Sequence, residues 1–465
     1  MRLPSLVIVL SLLVFLPSSS FSLKEYIHEQ LNSVKSVVVH PKSNNYSLVD
    51  IGAGQGLILA LQHKKLTKNE GSKEWLDISQ QLAQQDAFEA IALAKYYADN
   101  GNLNTAKLWL KPHLNDNKEV SLAYAQLLVQ AGETDRAYQL FKTHNTFSKQ
   151  TLLLAIDMGD VAFLSSVLHS PNFDVKHAWF IELLQDINFF KLPTLKLPQK
   201  HAPKADLVYE SYDQEQCARN VTYFATTLHD IERVRYLLES TASNPVGQII
   251  CPTEVRYMPT TWLECTSEPD KAIMCEESVF EMFQSQISSD YIALMLPKGG
   301  ANVHQGILYF DRSDSIDVFV HELSHFAGFI DEYPLRQGHA VCQVTNQAVG
   351  LNVVVFEPQK KHYSRAEVLS LLPWRDAIKP STPLFVYEGN TQVLGTPQSH
   401  QEEVGLFKSE TCDNNQNTAY KPIKESSFMR YFELAIPELY LELLEANHVE
   451  NQRFFRPSFH SNLTQ

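Results

Sequence analysis

The chain has 465 residues, of which 44% are hydrophobic and 20% are charged, an ordinary balance for a globular protein. This length predicts two or three domains. The formal net charge of −14 argues against nucleic-acid binding and against attachment to an anionic membrane, because both need a basic surface.

The first 22 residues have the pattern of a signal peptide. Arg2 precedes an apolar run at residues 6–16, and small residues follow up to Ser22, with Ser20 at the −3 position of the expected cleavage site. An uncleaved anchor is the alternative, although the apolar run is short for a membrane span, and no later stretch is long enough to cross a membrane. We therefore expect a periplasmic or secreted protein.

Residues 23–190 are predicted to form an α-helical repeat domain. Two stretches align around Gly101 and Gly132, and a fainter third copy surrounds Gly159, so the glycines recur 31 and then 27 residues apart. Small residues at helix contacts and glycine between helices resemble tetratricopeptide or Sel1-like repeats. That resemblance implies an all-α solenoid over about residues 50–185 with a surface for a protein partner. An irregular helical domain is the alternative.

A break follows at residues 191–205, where Pro193, Pro198 and Pro203 predict an extended linker. The second domain, residues 206–465, is predicted to open with a helix over about residues 219–239. The apolar stripe that predicts this helix consists of Val221, Phe224, Leu228, Ile231, Val234 and Leu238.

All six cysteines lie in this second domain. An even number in an exported chain predicts up to three disulfides. Cys265 with Cys275 and Cys342 with Cys412 are the pairings we expect, although the sequence leaves other pairings open. A structural zinc site is the alternative, but the chain has no Cys-x-x-Cys.

Two buried strands are predicted before the most informative motif, at residues 291–296 and 306–310. His304 lies in the loop between the strands and is interpreted as a solvated histidine rather than a metal ligand.

The motif itself is His321-Glu322-Leu-Ser-His325. Two histidines four residues apart share one face of a helix, because four steps overshoot a full turn by only about 40°. Their imidazoles can hold one Zn²⁺, with Glu322 beside the open coordination position. The alternative is a surface helix with two solvated histidines.

The residues around the motif predict where its helix begins and ends. Ser313 or Asp314 is expected to cap the helix start, and Gly328 is expected to end it. The chain can then return an acid, Asp331 or Glu332, to the same metal, since a catalytic zinc needs three protein ligands.

The spacing H-E-x-x-H-x-x-G-x-x-D resembles the metzincin clan of zinc peptidases, with Asp331 at the position of the third ligand. The run that ends in Asp-Glu-Tyr more narrowly resembles bacterial IgA-peptidase-type metallopeptidases. Gly-Leu-Phe at 405–407, Tyr-Lys-Pro at 420–422 and Met429-Arg430 follow in the order of that family. One residue fewer separates the second histidine from Asp-Glu-Tyr than is usual there, so both Asp331 and Glu332 stay open as third ligand, and the metzincin spacing favours Asp331.

The same resemblance implies two further site residues. Met429 matches the methionine of the clan's Met-turn beneath the zinc ligands, the alternative being an ordinary core methionine. Tyr431 lies where some metzincins place a tyrosine that stabilises the oxyanion, the alternative being a packed core aromatic. About a hundred residues separate Met429 from the histidines, which implies an inserted segment. A closing amphipathic helix is predicted at residues 437–448.

These features together predict a multidomain protein, an N-terminal all-α solenoid followed by an α+β zincin (metzincin-like) catalytic domain. The predicted function is that of an exported zinc-dependent endopeptidase acting on a protein or peptide substrate. Zn²⁺ held by His321, His325 and Asp331 would lower the pKa of its water, and Glu322 would take the proton of that water. The alternative is a helical-repeat binding scaffold whose zinc domain is structural or inactive; the intact Glu322 favours the enzyme. The sequence does not identify the substrate.

Overall fold

The computed structural model describes residues 70–115, 117–144, 147–173, 177–193, 217–266, 273–357, 362–389 and 391–462. The predicted signal peptide, the first part of the predicted repeat domain and most of the predicted linker lie outside these residues. The chain divides into two compact units, and the division falls between Asp186 and Ile187. Residues 187–193 belong to unit 2, where Lys191 Nζ lies 2.8 Å from a carboxylate oxygen of Glu254.

Unit 1 is helical throughout its described part. Each of the first six helices packs on the next, and most helices begin at a side chain that caps the free backbone N–H groups of the first turn, such as Asp86 or Asn117. The helices are α1 (Lys73–Ala83), α2 (Ala87–Asp99), α3 (Leu103–Leu110), α4 (Lys118–Gln130), α5 (Thr134–His144), α6 (Lys149–Asp157), α7 (Val161–His169) and α8 (Ala178–Asp186).

The three glycines that suggested a repeat have the same conformation in the structure. Gly101, Gly132 and Gly159 each follow a helix with a left-handed φ, of +77°, +75° and +67°. In all three turns the next residue donates its N–H to the carbonyl five positions before it, as from Asn102 to Tyr97 at 2.8 Å. Glycine adopts this φ without a steric cost, which explains its recurrence.

Unit 2 is built on a five-stranded mixed sheet in the order β2-β1-β5-β7-β6. Its first four strands are parallel, and β6 runs antiparallel at the edge beside β7. The strands are β1 (Arg219–Ala225), β2 (Ile250–Tyr257), β5 (Tyr291–Leu296), β6 (Asn302–His304) and β7 (Ile307–Asp311). Every residue of β5 and β7 is buried, so both predicted strands are confirmed, with β7 shifted by one residue.

Two helices flank this sheet and define the region of interest. Helix α9 (Leu228–Thr241) packs against β1, β2 and β5, and also against α12 (Ile316–Phe326). Helix α12 contacts β6 and β7 as well, and the short helix α10 (Pro245–Ile249). The motif with the two histidines therefore lies on a helix packed near the antiparallel edge of the sheet.

The helix predicted over residues 219–239 is wrong in its first half. Residues 219–225 form β1, and the helix begins only at Leu228, after Thr227 has capped it by accepting from Asp230 N at 3.1 Å. Val221 and Phe224 belong to the strand and the remaining apolar positions to the helix. A run of β-branched and aromatic residues buried between two neighbouring strands suits a sheet better than a helix.

The residues between α12 and Met429 form an inserted part with its own four-stranded antiparallel sheet, in the order β12-β13-β9-β8. A hairpin, β10 with β11, and the helix α13 accompany it. These elements are β8 (Gln347–Ala348), β9 (Val354–Phe356), α13 (Arg365–Leu371), β10 (Phe385–Glu388), β11 (Thr391–Leu394), β12 (Phe407–Ser409) and β13 (Thr418–Lys421). The long segment between the histidines and Met429 thus has a sheet of its own.

The remaining elements of unit 2 are short. They are β3 (Cys265–Thr266), β4 (Met274–Cys275), α11 (Ser278–Glu281), α14 (Glu438–Ala446) and α15 (Phe459–Asn462), together with several 3₁₀ turns, among them Ala340–Cys342 and Glu410–Cys412. The closing helix predicted at 437–448 is α14, shorter by one residue at its start and two at its end.

Three disulfides cross-link unit 2. They join Cys265 to Cys275 and Cys342 to Cys412, as predicted, and Cys217 to Cys251. Disulfides of this number are compatible with an oxidising compartment outside the cytoplasm. Within the described ranges, no helix has the length and apolar character needed to cross a membrane.

Candidate metal centre

Helix α12 carries the candidate metal ligands. Its cap is Ser315, whose Oγ accepts from Val318 N at 3.2 Å, so the prediction of Ser313 or Asp314 as cap is wrong by one or two residues. Asp314 is engaged elsewhere, because its carboxylate accepts from Asp311 N at 2.6 Å.

The far end of α12 is closed tightly. Gly328 ends the helix as predicted, with a left-handed φ of +104°, and a Cβ there would lie 2.5 Å from the carbonyl oxygen of Phe454. The last turn is also held from outside, since Asn447 Nδ2 donates to Ala327 O at 3.2 Å and Arg456 N donates to Phe326 O at 3.3 Å. The free carbonyls that end a helix are thereby satisfied, which fixes the helix.

His321 and His325 are buried and oriented through their Nδ1 atoms. Nδ1 of His321 lies 3.0 Å from Phe428 O, and Nδ1 of His325 lies 3.2 Å from Phe329 O. A carbonyl only accepts, so each Nδ1 carries a proton, and Nε2 is the ring atom left to face a metal. Metal-binding histidines are commonly held in this way, with a backbone carbonyl accepting from Nδ1 and fixing the direction of the ring.

Asp331 closes the group. Its Oδ1 lies 3.1 Å from His321 Nε2 and 3.2 Å from His325 Nε2. A tetrahedral Zn²⁺ with bonds of about 2.0 Å would separate its ligand atoms by roughly 3.3 Å. The donor set of two neutral imidazoles and one carboxylate, at this spacing, therefore fits Zn²⁺ with one coordination position left over.

The charges of Asp331 and the two histidines shift the pKa values of these residues. Burial opposes the charging of His325, but the Asp331 carboxylate outweighs it and raises the pKa of His325 to about 9. Burial also penalises the charged form of Asp331, yet the two imidazoles hold the pKa of its carboxyl well below its usual range. The negative charge of Asp331 thus stabilises positive charge on the neighbouring imidazole.

Glu332, the other candidate third ligand, points into the protein core instead. It is 1% exposed, with Lys421 Nζ 2.8 Å from one carboxylate oxygen. Asn352 Nδ2, at 3.0 Å, and the hydroxyl of Tyr440 donate to the other oxygen. With both oxygens engaged in this buried cluster, the geometry favours Asp331 as the third ligand.

Several residues that the sequence did not single out position the Asp331 loop. Thr411 Oγ1 donates to the carbonyl of Asp331 at 2.7 Å, and Thr411 is held beside the disulfide-bonded Cys412. The side chain of Asn352 makes two hydrogen bonds to the backbone of Ile330. Its Oδ1 accepts from Ile330 N at 2.9 Å, and its Nδ2 donates to Ile330 O at 2.8 Å. Both residues come from the inserted segment, and nothing in their local sequence marks this role.

Glu322 lies beside the histidines and is buried. One of its carboxylate oxygens, Oε2, is 3.9 Å from His325 Nε2, and no described residue donates a hydrogen bond to that oxygen. Burial raises the pKa of the Glu322 carboxyl above its ordinary value, although the two histidines oppose the shift. A buried carboxylate with a free oxygen facing a metal-ligand cluster can accept a proton from a molecule bound there.

Met429 lies in a tight turn and is fully buried. Its own N–H donates to Ser427 Oγ at 3.1 Å, and its carbonyl accepts from Glu332 N at 2.9 Å. The carbonyl before it, that of Phe428, is the one that orients His321. The turn therefore joins the first histidine to the segment that carries Asp331.

The two tyrosines near the site have different surroundings. Tyr431 is 48% exposed, with the Arg430 guanidinium 4.5 Å from its ring centre. Tyr333 stacks on His321, with ring centres 6.3 Å apart and planes 16° apart. The sequence included Tyr333 in a motif but assigned it no role.

His304, interpreted as a solvated loop residue, lies on β6, where its Nδ1 is 2.9 Å from a carboxylate oxygen of Glu277. Its contact is with this acid rather than with His321 or His325.

A scan against models of known protein families found no match to the chain, and searches of curated proteins and of solved structures found none either.

Proposed function

We propose that this chain is an exported zinc-dependent endopeptidase. The observation that best supports this proposal is that Asp331 Oδ1 lies 3.1 Å from His321 Nε2 and 3.2 Å from His325 Nε2. The free carboxylate oxygen of Glu322 lies beside this group. Three ligands with a proton acceptor at the open position are what metal-assisted hydrolysis requires.

His321, His325 and Asp331 would hold the zinc, which when bound acts as a Lewis acid and lowers the pKa of water. Glu322 accepts one proton of a water molecule as the water oxygen bonds to the peptide carbonyl carbon. The carboxyl then returns that proton to the leaving nitrogen as the C–N bond breaks. The raised pKa of Glu322 suits this exchange, since a group that both takes and gives a proton works best near the ambient pH.

An extended peptide is the substrate class that the sheet supports. Strand β6 lies at the edge of the five-stranded sheet and contacts α12. The outer edge of such a strand offers unpaired backbone groups, which a peptide can satisfy by pairing as a further strand.

We also propose the finer classification of the two units, a zincin-like, metzincin-related fold for unit 2 and a tetratricopeptide-like solenoid for unit 1. The repeated left-handed glycine turns support a solenoid in unit 1. A protein partner would bind the surface of that solenoid. In the alternative, a scaffold with an inactive zinc domain, a buried Glu322 would carry a desolvation cost without a catalytic benefit.

The test is cleavage of a peptide library by the purified chain, read by mass spectrometry, with zinc content measured on the same samples. Glu322→Gln should keep its zinc and lose activity by roughly 10²–10⁴-fold. Glu442→Gln, at an exposed position on α14, is the matched control and should keep full activity.

A chelator should abolish cleavage by the wild-type chain, and added Zn²⁺ should restore it. Full activity in Glu322→Gln, or wild-type protein that binds zinc and cleaves nothing in the library, would refute the proposed function.

A further inference from the structure

We infer that the Cys342–Cys412 disulfide holds Asp331 in its ligand position, so that the chain binds zinc tightly only after this disulfide has formed. This inference rests on the proposed function and adds to it a control by oxidation. A peptidase built in this way acquires its metal only in an oxidising compartment.

The third ligand lies on a segment without regular structure. Residues 331–339 follow α12 and form neither helix nor strand. The position of such a segment depends on its contacts with other parts of the chain, because it has no ladder of backbone hydrogen bonds of its own. The buried cluster around Glu332 is one of these contacts, and the 3₁₀ turn Glu410–Cys412 provides another.

The Glu410–Cys412 turn holds the segment by its backbone. Thr411 Oγ1 donates to Asp331 O at 2.7 Å, and Thr411 O accepts from Leu335 N at 2.9 Å. Just after the turn, Asn414 Nδ2 donates to Leu335 O at 3.1 Å. The place of Asp331 therefore depends on where Thr411 lies.

The disulfide fixes the place of Thr411. A 3₁₀ turn of three residues is a weak element by itself, because its hydrogen bonds have poor geometry. Cys412, the neighbour of Thr411 in this turn, is bonded to Cys342, which ends a second 3₁₀ turn, Ala340–Cys342. The covalent bond thus joins the two turns directly beside the hydrogen bonds of Thr411.

The two cysteines also belong to the core beneath the segment. Both are buried, at 1% and 2% exposure, and they share a hydrophobic cluster with Ile330 and Leu335. Hydrophobic contact is not directional, so without the bond the cluster would tolerate shifts that a metal ligand does not. Burial also keeps soluble reductants away from the closed disulfide, so its oxidation state is set while the chain folds.

The step that forms the link is thiol–disulfide exchange. The thiols of Cys342 and Cys412 lose two protons and two electrons, which reduce a disulfide oxidant of the compartment to two thiols. Before this step the third ligand is poorly held, and a site with a poorly held ligand binds its metal more weakly.

The experiment compares Cys342→Ala/Cys412→Ala with Cys217→Ala/Cys251→Ala and with wild type, all as full chains. The second variant is the matched control, because it also removes one disulfide of unit 2, the one that joins Cys217 to β2. Circular dichroism first establishes a temperature at which the chains are folded. Three quantities are then measured: zinc affinity by chelator competition, backbone hydrogen exchange over residues 329–336 of the metal-free chain, and the unfolding midpoint.

Loss of the Cys342–Cys412 bond should weaken zinc binding by about 10–100-fold, the usual effect of losing a group that orients a metal ligand. The amide of Leu335 should exchange at least about tenfold faster, because its acceptor is Thr411 O. The control should also lower the unfolding midpoint, yet it should keep zinc affinity within about threefold of wild type and leave exchange over residues 329–336 unchanged.

Unchanged zinc affinity in Cys342→Ala/Cys412→Ala overturns the inference, and so does an equal loss of zinc affinity in the control. A purely structural disulfide would lower the midpoint without changing the zinc affinity of the folded chain. Wild-type chain that binds no zinc refutes the proposed function itself, an outcome distinct from these.

If Cys342→Ala/Cys412→Ala does not fold, the wild-type chain decides. Reduced chain is refolded with Zn²⁺ and oxidised glutathione, and free thiols are blocked with iodoacetamide at successive times so that they cannot bind the metal. Chains that retain zinc against a chelator should carry the Cys342–Cys412 bond when mapped by mass spectrometry. Equal retention by chains that lack this bond overturns the inference.

Discussion

Replacing Lys421 by methionine tests whether the buried cluster around Glu332 holds the metal-ligand loop. The ammonium of Lys421 lies 2.8 Å from a carboxylate oxygen of Glu332, and the two side chains are only 8% and 1% exposed. With an effective dielectric constant of about 20, that pair attracts by roughly 6 kcal/mol. Removing one partner of a buried pair costs about 3–5 kcal/mol, because the other charge stays buried.

The lower end of that range applies here, because Asn352 and Tyr440 still donate to Glu332 after the change. At about 2–4 °C per kcal/mol for a unit of this size, a loss of about 3 kcal/mol lowers the unfolding midpoint of unit 2 by roughly 6–12 °C. Zinc affinity should also fall by about 10–100-fold, since Glu332 adjoins Asp331.

Differential scanning calorimetry under non-reducing conditions measures the midpoint, and chelator competition measures zinc affinity. Lys408→Met is the matched control, because Lys408 lies on the neighbouring strand β12, is 65% exposed and pairs with Asp413 at 3.0 Å. An exposed pair contributes about 0–1 kcal/mol, so this variant should stay within about 4 °C of wild type. Equal midpoints and equal zinc affinities for the two variants would show that the reasoning is wrong.

Three further predictions concern the helix end, the ligand loop and unit 1. Gly328→Ala should destabilise unit 2 by more than about 2 kcal/mol, because the φ of Gly328 is +104° and the new Cβ would lie 2.5 Å from a carbonyl oxygen. Gly338→Ala is the control and should cost about 1 kcal/mol, because Gly338 has a φ of +77° but open space around it. Calorimetry that ranks the two variants in the other order would contradict this prediction. Thr411→Val removes the hydroxyl that donates to the Asp331 carbonyl at 2.7 Å. The free energy of unfolding should fall by about 1–2 kcal/mol and zinc affinity by about tenfold. Unchanged zinc binding would argue against a role of Thr411 in positioning Asp331. Burial, helped by the charge of Asp86, raises the pKa of Glu89 to about 7. The contribution of the Glu89 carboxyl to the free energy of unfolding is therefore complete below pH 4.5 and is lost as the pH rises through 7. Glu89→Gln should therefore stabilise unit 1 relative to wild type at pH 8 more than at pH 4, and a pH-independent difference in the unfolding midpoint would refute this.

Local patterns in the sequence predicted several parts of the site correctly. The spacing of His321 and His325 placed both on one helix face, and Gly328 marked the helix end. These features depend on neighbours within a few residues, which is the distance over which helix periodicity and glycine conformation act. The same reasoning placed the N-cap of α12 one or two residues before Ser315, where the structure has it. It also took β1 for part of a helix, because a short apolar run fits both the helical and the strand periodicity.

The sequence by itself determined which residue types were available: two histidines and a glutamate at helical spacing, an acid after the turn, and six cysteines. The metzincin-like spacing favoured Asp331 over Glu332 as third ligand, but only the tertiary structure supplied a physical reason. The partners that draw Glu332 into the core, Lys421 and Tyr440, lie 89 and 108 residues away along the chain. With Glu332 drawn into the core, Asp331 is the acid whose carboxylate lies against the two histidines. Long-range contacts of this kind, together with the ring of Tyr333 on His321, come from packing between elements rather than from any local pattern.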